Sequence, residues 1–413
     1  MQLGWIDFSK QDRTNAINII NSMKEKGVLD ELGFGSLRQA FADFFFPGIS
    51  TIQTRAKYFF IVPYILQDYI SSATVRENDF QKFLADSQKK ISGKGGKENQ
   101  TGKTLAENIG DDENIGIIGS RSIKSGKWVE RTPLSIYWNG LRTFGFFRSA
   151  NPNFTYGDFM MRVFMLVKNT SESKSSVKIT SKDENDDIDA GNFSKTSPLE
   201  KLESYSKSWQ KDINISLTEK EADILKSKII ENVPESLLAF ILKNELDISA
   251  CGNDFELFTE LISQKVDSEM SKKLYLSNKA NEFFYMTMLR YSFLLCNGSV
   301  SEIEEEWNKV WEHKDKICSE FDVENTFTTM EIQNPRLKVF LLKLQKAFID
   351  NDLEASDEII RKREKELKGS RAKLSNPDYE LTEMDTRIFR RFDYRLGNAA
   401  KIIADIYAGE EQC

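Results

Sequence analysis

The sequence predicts a mainly α-helical, multi-helix protein, with an α+β arrangement kept open by minor strands in the first half. Three observations predict it. Apolar residues recur at three- and four-residue spacing through most of residues 199–413. Hydroxyl residues with Glu or Gln three positions on mark helix starts, as at Ser50 with Gln53, Thr218 with Glu221 and Ser301 with Glu304. Strand signals are few and short.

Taken in order, Ser9 and Asp12 start a helix that carries Ala16, Ile19, Ile20 and Met23 and stops at Gly27. A second helix over 37–45 is cut by Pro47 and Gly48. The box of Ser50 and Gln53 starts a third, kinked at Pro63. Residues 89–114 are polar and glycine-rich and read as a loop, and 115–118 as a short strand. Thr132 and Pro133 supply a cap and a first-turn proline for a helix over 134–142 that Gly145 ends. Residues 159–167 suit a strand or a buried helix. Residues 168–198 are dominated by Ser, Lys, Asp and Asn and bury too little apolar surface to offset ordering entropy. They divide the chain into a mostly helical domain with minor strands over 1–167, a flexible linker or insertion over 168–198, and a helical domain over 199–413. In that last part, helices are expected from Thr218, from Pro234, over 280–295, from Ser301, over 337–348, over 358–367 and over 399–407. The helix from Ser301 carries one stripe of Ile303, Trp307, Val310, Trp311, Ile317 and Phe321.

A length of 413 residues suits two or three domains. Phe, at 29 residues against 12 Tyr and 6 Trp, forecasts an aromatic-rich core. Lys and Arg total 57 and Asp and Glu 64, a formal charge of −7, which excludes a surface basic all over but leaves room for a local basic patch. One histidine excludes mechanisms that need two or more. Cys251, Cys296, Cys318 and Cys413 form no C-x-x-C motif and fit a reducing compartment. Residues 1–12 lack the basic start and apolar run of a signal peptide, and the longest apolar run, 58–66, is too short to span a bilayer. A soluble cytoplasmic protein without a membrane partner is therefore expected.

The search for bond-making chemistry returns little. Residues 93–104 resemble a phosphate-binding loop, but Gly96 and Gly102 flank five residues where that loop needs four. Glu366 with Lys368, and Glu172 with Lys174, share the E-x-K spacing of metal-dependent nucleases, a spacing that 64 acids produce by chance. His313 lies at the edge of an apolar stripe, and no Ser or Cys sits in a nucleophile-elbow setting. No catalytic residue, metal ligand or cofactor is assigned on these grounds.

The strongest local signal is basic. Arg361, Lys362, Arg363, Lys365, Lys368, Arg371 and Lys373 stand against Glu364 and Glu366, a net +5 on a chain whose remainder carries −12. Arg387, Arg390, Arg391 and Arg395 follow, interleaved with Phe389, Phe392 and Tyr394. This pattern suits a polyanion or an acidic protein face, and competes with a plain solvated helix. Gln53, Arg55, Lys57 and Tyr58 bring an amide, two cations and a ring into one turn, which suits a phosphate contact or simply a helix start. Residues 133–147 have the form of a winged-helix recognition helix, or of an ordinary core helix burying Trp138 and Leu141.

Successive blocks then carry a resemblance. They are LGWIDFS at 3–9, FFPGISTIQTRAKYFFIVPYI at 45–65, GIIG at 116–119 and PLSIYWNGLRTFG at 133–145. LTEKEADILKSKI at 217–229, ESLLAFIL at 235–242, FFYMTMLRY at 283–291, EKELKGSRAKLSNP at 364–377 and FDYRLGNAAKIIADIYAG at 392–409 complete the series. In their order and spacing the chain resembles an uncharacterised bacterial protein family. The family usually has Trp where Leu396 stands, and the 168–198 stretch is peculiar to this chain. Its members look like cytoplasmic proteins often encoded near helicases and phospholipase-D-like nucleases in antiviral defence loci. The resemblance implies an accessory role beside nucleic-acid enzymes. With the lack of a catalytic constellation and the +5 segment, the expectation is a non-catalytic subunit of an anti-phage system that binds a partner helicase or nuclease through Arg361 to Lys373 and Arg387 to Arg395, and secondarily Gln53 to Tyr58, with DNA an open further ligand. Two alternatives stay open. One is a divalent-metal nuclease or nucleotide hydrolase built on Glu366, Asp385 and Asp393; the other is a purely structural scaffold.

Overall fold

Short polar side chains start most of the helices, by accepting N–H groups that the first turn leaves without partners. A computed structural model describes residues 30–71, 86–88, 116–119, 129–149, 154–165, 197–211 and 213–411. Along them run α1 (Gly35–Phe45), α2 (Tyr58–Ser71), α3 (Pro133–Thr143), α4 (Glu219–Asn232), α5 (Leu237–Lys243), α6 (Phe255–Ile262) and α7 (Ser268–Cys296). Then come α8 (Ser301–Trp311), α9 (Lys314–Glu320), α10 (Val323–Thr329), α11 (Pro335–Ile349), α12 (Leu353–Lys368) and α13 (Leu396–Glu410). Asp254, Asp267, Asp322, Asn334 and Asp352 cap α6, α7, α10, α11 and α12. Thr132 caps α3 ahead of Pro133, and Thr218 with Glu221 forms a reciprocal capping box on α4, both as the spacing predicts. The class is mainly α, as predicted.

Three local expectations are corrected and one ambiguity is decided. Ser50 and Gln53 close a turn instead of starting a helix. Ser50 N donates to Gln53 Oε1 at 3.2 Å, Gln53 Nε2 donates to the Gly48 carbonyl at 3.0 Å, and α2 begins only at Tyr58. Ser301 makes no side-chain cap, and the stripe assigned to one helix is shared by α8 and α9, which a turn at Glu312 and His313 separates. The strand expected over 115–118 does not form in its described part, 116–118, because Gly116 and Gly119 take φ of 78° and 88°, left-handed conformations that interrupt an extended run. Residues 156–165 are helical, which decides the 159–167 ambiguity over its described part. Among the described residues the β pairing is an isolated antiparallel bridge of Phe147 with Leu199. Residues 133–147 therefore have no wing there, and α3 behaves as a core helix: Leu141 is fully buried as expected, Trp138 is only half-buried, and Tyr137 is the fully buried ring. The helix expected over 9–27, the loop over 89–114 with Gly96 and Gly102, Glu172 and Lys174, and all but the end of 168–198 lie outside the described residues.

The chain divides into two units, one from residues 1–45 and 253–394, the other from 46–252 and 395–413. In the first, α7 is central, and α8, α9, α10 and α12 pack on it. The aromatic core forecast from composition is here. Phe34 meets Phe284 edge-on at 5.0 Å, Phe255 meets Tyr394 at 4.7 Å, and Phe284 stacks on Phe392 at 3.8 Å. Each such ring contributes ~1.5–3 kcal/mol by leaving water. In the second unit α2 packs on α3, and α4 on α5 and α13. Gly140 permits the close approach of α3, since a Cβ there would stand 2.6 Å from the Gly48 carbonyl oxygen and 2.7 Å from the Phe59 ring.

Candidate functional site

A cleft of about 800 Å³ opens in the first unit. Glu31, Lys373 and Asp385 line it, with Asn281, Glu282 and Tyr285 of α7 and the irregular segment 384–393. The chain builds this place by reversing after α12. Gly369 takes φ of 57°, and a short turn over Gly369–Arg371 sends the chain back along the helix. Glu364, fully buried, then accepts from Lys373 N at 2.9 Å, Leu374 N at 3.0 Å and Tyr291 Oη at 2.8 Å. Lys373 reaches Glu31 at 3.0 Å and Asp385 at 2.6 Å, and Lys368 also pairs with Glu31. The basic run thus neutralises buried acids, as a low-dielectric interior requires.

Asp385 and Asn281 anchor the segment that borders the cleft. The Asp385 carboxylate accepts from Lys373 Nζ at 2.6 Å, Tyr379 Oη at 2.6 Å, Thr382 N at 2.9 Å and Thr382 Oγ1 at 2.6 Å. Burial raises its pKa, but these donors more than offset that and hold it well below the usual carboxylate range. Seven residues on, Phe392 N donates to Asn281 Oδ1 at 2.8 Å, and Asn281 Nδ2 donates back to the Phe392 carbonyl at 2.9 Å. Residues 386–391 bow outward between these anchors. Arg387 and Arg390 are exposed, and the Arg391 guanidinium lies 3.8 Å from the centre of the Tyr285 ring. Burial first, and then the hydrogen bond to Glu306, push Tyr285 up to about 12 against the opposing effect of Arg391, so it stays a neutral phenol at neutral pH.

The predicted binding residues separate into those the fold engages and those it presents. Arg363 is buried, donates to the Leu32 carbonyl at 2.9 Å and lies over the Phe340 ring. Lys368 and Lys373 are held by Glu31 as above. Arg361, Lys362, Lys365 and Arg371 are exposed, Arg361 also donating to the Leu374 carbonyl at 3.0 Å. Arg387 pairs with Glu383. The other unit holds the rest. Gln53 closes its turn. Arg55 grips Asp405 with Nε at 2.9 Å from both carboxylate oxygens, and Lys57 meets Glu221 at 2.5 Å in the interior. Arg395 is buried at the start of α13 with φ of 74°. The cluster from Gln53 to Lys57 is accordingly an internal brace of its unit.

The alternative carboxylates do not converge. Glu366 is exposed on α12, Asp385 is saturated by its four donors, and Asp393 is half-buried. Among the described residues no three His, Cys, Asp or Glu side chains come together as a metal site would need. His313 is exposed at the turn before α9. No helix of the described residues is long and apolar enough to cross a membrane. Glu31, Tyr291 and Asn281 were not singled out from sequence. Asn281 alone carries a signal, a polar residue just before the buried rings of α7.

No curated protein matches the chain and no solved structure matches it. Residues 1–164 match the model of a family of unknown function, DUF6361, in line with the resemblance to an uncharacterised family.

Proposed function

We propose that the protein is a non-catalytic accessory subunit of a bacterial anti-phage defence system that docks a partner helicase or nuclease in the cytoplasm. The observation that carries this reading is the bow over 386–391, pinned at Asp385 and Phe392 and presenting Arg387, Arg390 and Ile388 to solvent. Lys373 and Asp385, which border it, pair with each other and hold its first end. Arg361, Lys362, Lys365 and Arg371 add a second exposed basic face. The resemblance to proteins encoded beside helicases and phospholipase-D-like nucleases supplies the class of partner, and DNA is a further ligand for the same cations.

The test is affinity purification of the tagged full chain from cells expressing the neighbouring genes, beside a variant carrying Arg387→Glu, Arg390→Glu and Arg391→Glu. A helicase or nuclease should follow the wild type and be depleted with the variant. A wild-type purification that brings down neither enzyme refutes the reading. Binding of a duplex at rising salt tests the DNA part, since each neutralised phosphate contributes about −0.9 to the log–log slope. A flat response removes DNA.

A further inference from the structure

We infer that the cleft and its bow receive an extended, acidic segment of a partner protein, which pairs its backbone with residues 388–391 and its carboxylates with Arg387, Arg390 and Arg391. The inference rests on the docking reading above and deepens it by naming the occupant.

The backbone supplies the first reason. Residues 388–393 take no helix, turn or bend. Among the described residues, the N–H groups of Ile388, Phe389, Arg390 and Arg391 make no hydrogen bond, and neither do their carbonyls. The segment is nonetheless held at both ends by buried anchors, Asp385 and the reciprocal pair of Asn281 with Phe392. A fixed segment with open main-chain donors and acceptors is what strand addition uses. Main-chain bonds give affinity, alternate side chains give selectivity, and the ordering cost on this side has already been met.

Charge supplies the second. Of the acids lining the cleft, Glu31 and Asp385 pair with Lys368 and Lys373, Glu282 pairs with Lys279 and Asp254 caps α6, and Glu256 and Asp393 lie outside residues 386–391. Residues 386–391 themselves carry three arginines and no acid; Arg387 pairs with Glu383 on the surface, and Arg390 makes no ion pair or hydrogen bond among the described residues. A basic occupant is repelled. The third reason is apolar. Leu381, Met384 and Ile388 are exposed at 41%, 55% and 39% beside these arginines. A segment alternating acidic and apolar residues satisfies both sets, whereas a nucleic-acid backbone leaves the apolar ones without partners.

The test is selection of peptides from a random twelve-residue display library on the purified full chain, with the triple charge-reversal variant and the single Arg390→Glu variant in parallel. Arg390 is exposed and makes no hydrogen bond or ion pair among the described residues, so its replacement should leave folding intact. The expected winners are net acidic with interspersed apolar residues. They should bind the single variant a few-fold more weakly and the triple variant about tenfold more weakly. N-methylation of alternate backbone amides in the best peptide should cost a further tenfold or so, as lost main-chain bonds do. Winners without acidic bias, winners indifferent to the arginines, no winners at all, or preferential binding of a duplex DNA of similar charge each overturn the inference. If selection fails while the co-purified enzyme is still lost with the triple variant, the occupant is misassigned and the docking reading stands. If neither gives a partner, both fall.

Discussion

Replacing Asp385 by Asn removes one charge at almost constant size and strikes the anchor on which the bow depends. The native carboxylate receives Lys373 on Oδ1 and Tyr379, Thr382 N and Thr382 Oγ1 on Oδ2. In the amide one of the two positions can no longer accept. Either Lys373 or the group of three loses its acceptor, and the bonds that remain are no longer charge-assisted. Hydrogen bonds to a charged group contribute about 1.5–3 kcal/mol each, without simple additivity, and stripping the partner from a buried ion costs ~3–5 kcal/mol. Lys373 keeps Glu31 at 3.0 Å, so the full penalty does not apply. A loss of about 2–4 kcal/mol follows. The sign with pH is also determined. The folded pKa is depressed, so this stabilisation is complete above the ordinary aspartate range and drains away as pH falls through about 4 towards the folded value. Urea unfolding as a function of pH measures both effects, and trypsin reports on the bow directly, through Arg387, Arg390 and Arg391. The variant should unfold at lower urea, lose the acid-side slope that Asp385 supplies, and be cut faster at those arginines. A variant with the wild-type urea midpoint and the wild-type cleavage rate would refute the anchoring role.

In the other unit, Lys57→Met should destabilise by about 3–5 kcal/mol, because Glu221 is then buried without its cation. Combining it with Glu221→Gln should recover part of that loss in a double-mutant cycle followed by urea unfolding. Gly140→Ala places a methyl 2.6 Å from the Gly48 carbonyl oxygen and should cost about 1–3 kcal/mol by forcing α3 away from the turn. An unchanged melting temperature for this variant would contradict the close approach.

Helices were legible in the sequence wherever a cap and a periodic apolar face coincide, as at Thr218 with Glu221 and at Thr132 with Pro133. The break at Glu312 and His313 was not, because the apolar spacing runs on almost in phase across it. The box of Ser50 and Gln53 misled because the same bond that caps a helix also closes a turn. The basic run was visible as composition, but its division was less so. Arg363 and Glu364 share a helix face with Ser356 and Ile360, and helical spacing marks them for burial. Nothing local links Glu31 to Lys368 or Asp385 to Lys373, since those pairings exist only after the chain has folded back past Gly369.

Amide hydrogen exchange at Ile388, Phe389, Arg390 and Arg391, with and without the bound partner, is the most direct check on docking through the bow. Free protein should exchange these amides at nearly the rate of an open chain, while Phe392, bonded to Asn281, is protected. On complex formation the protection should spread to these residues. Slow exchange there in the free protein, or unchanged fast exchange in a stable complex, would contradict it.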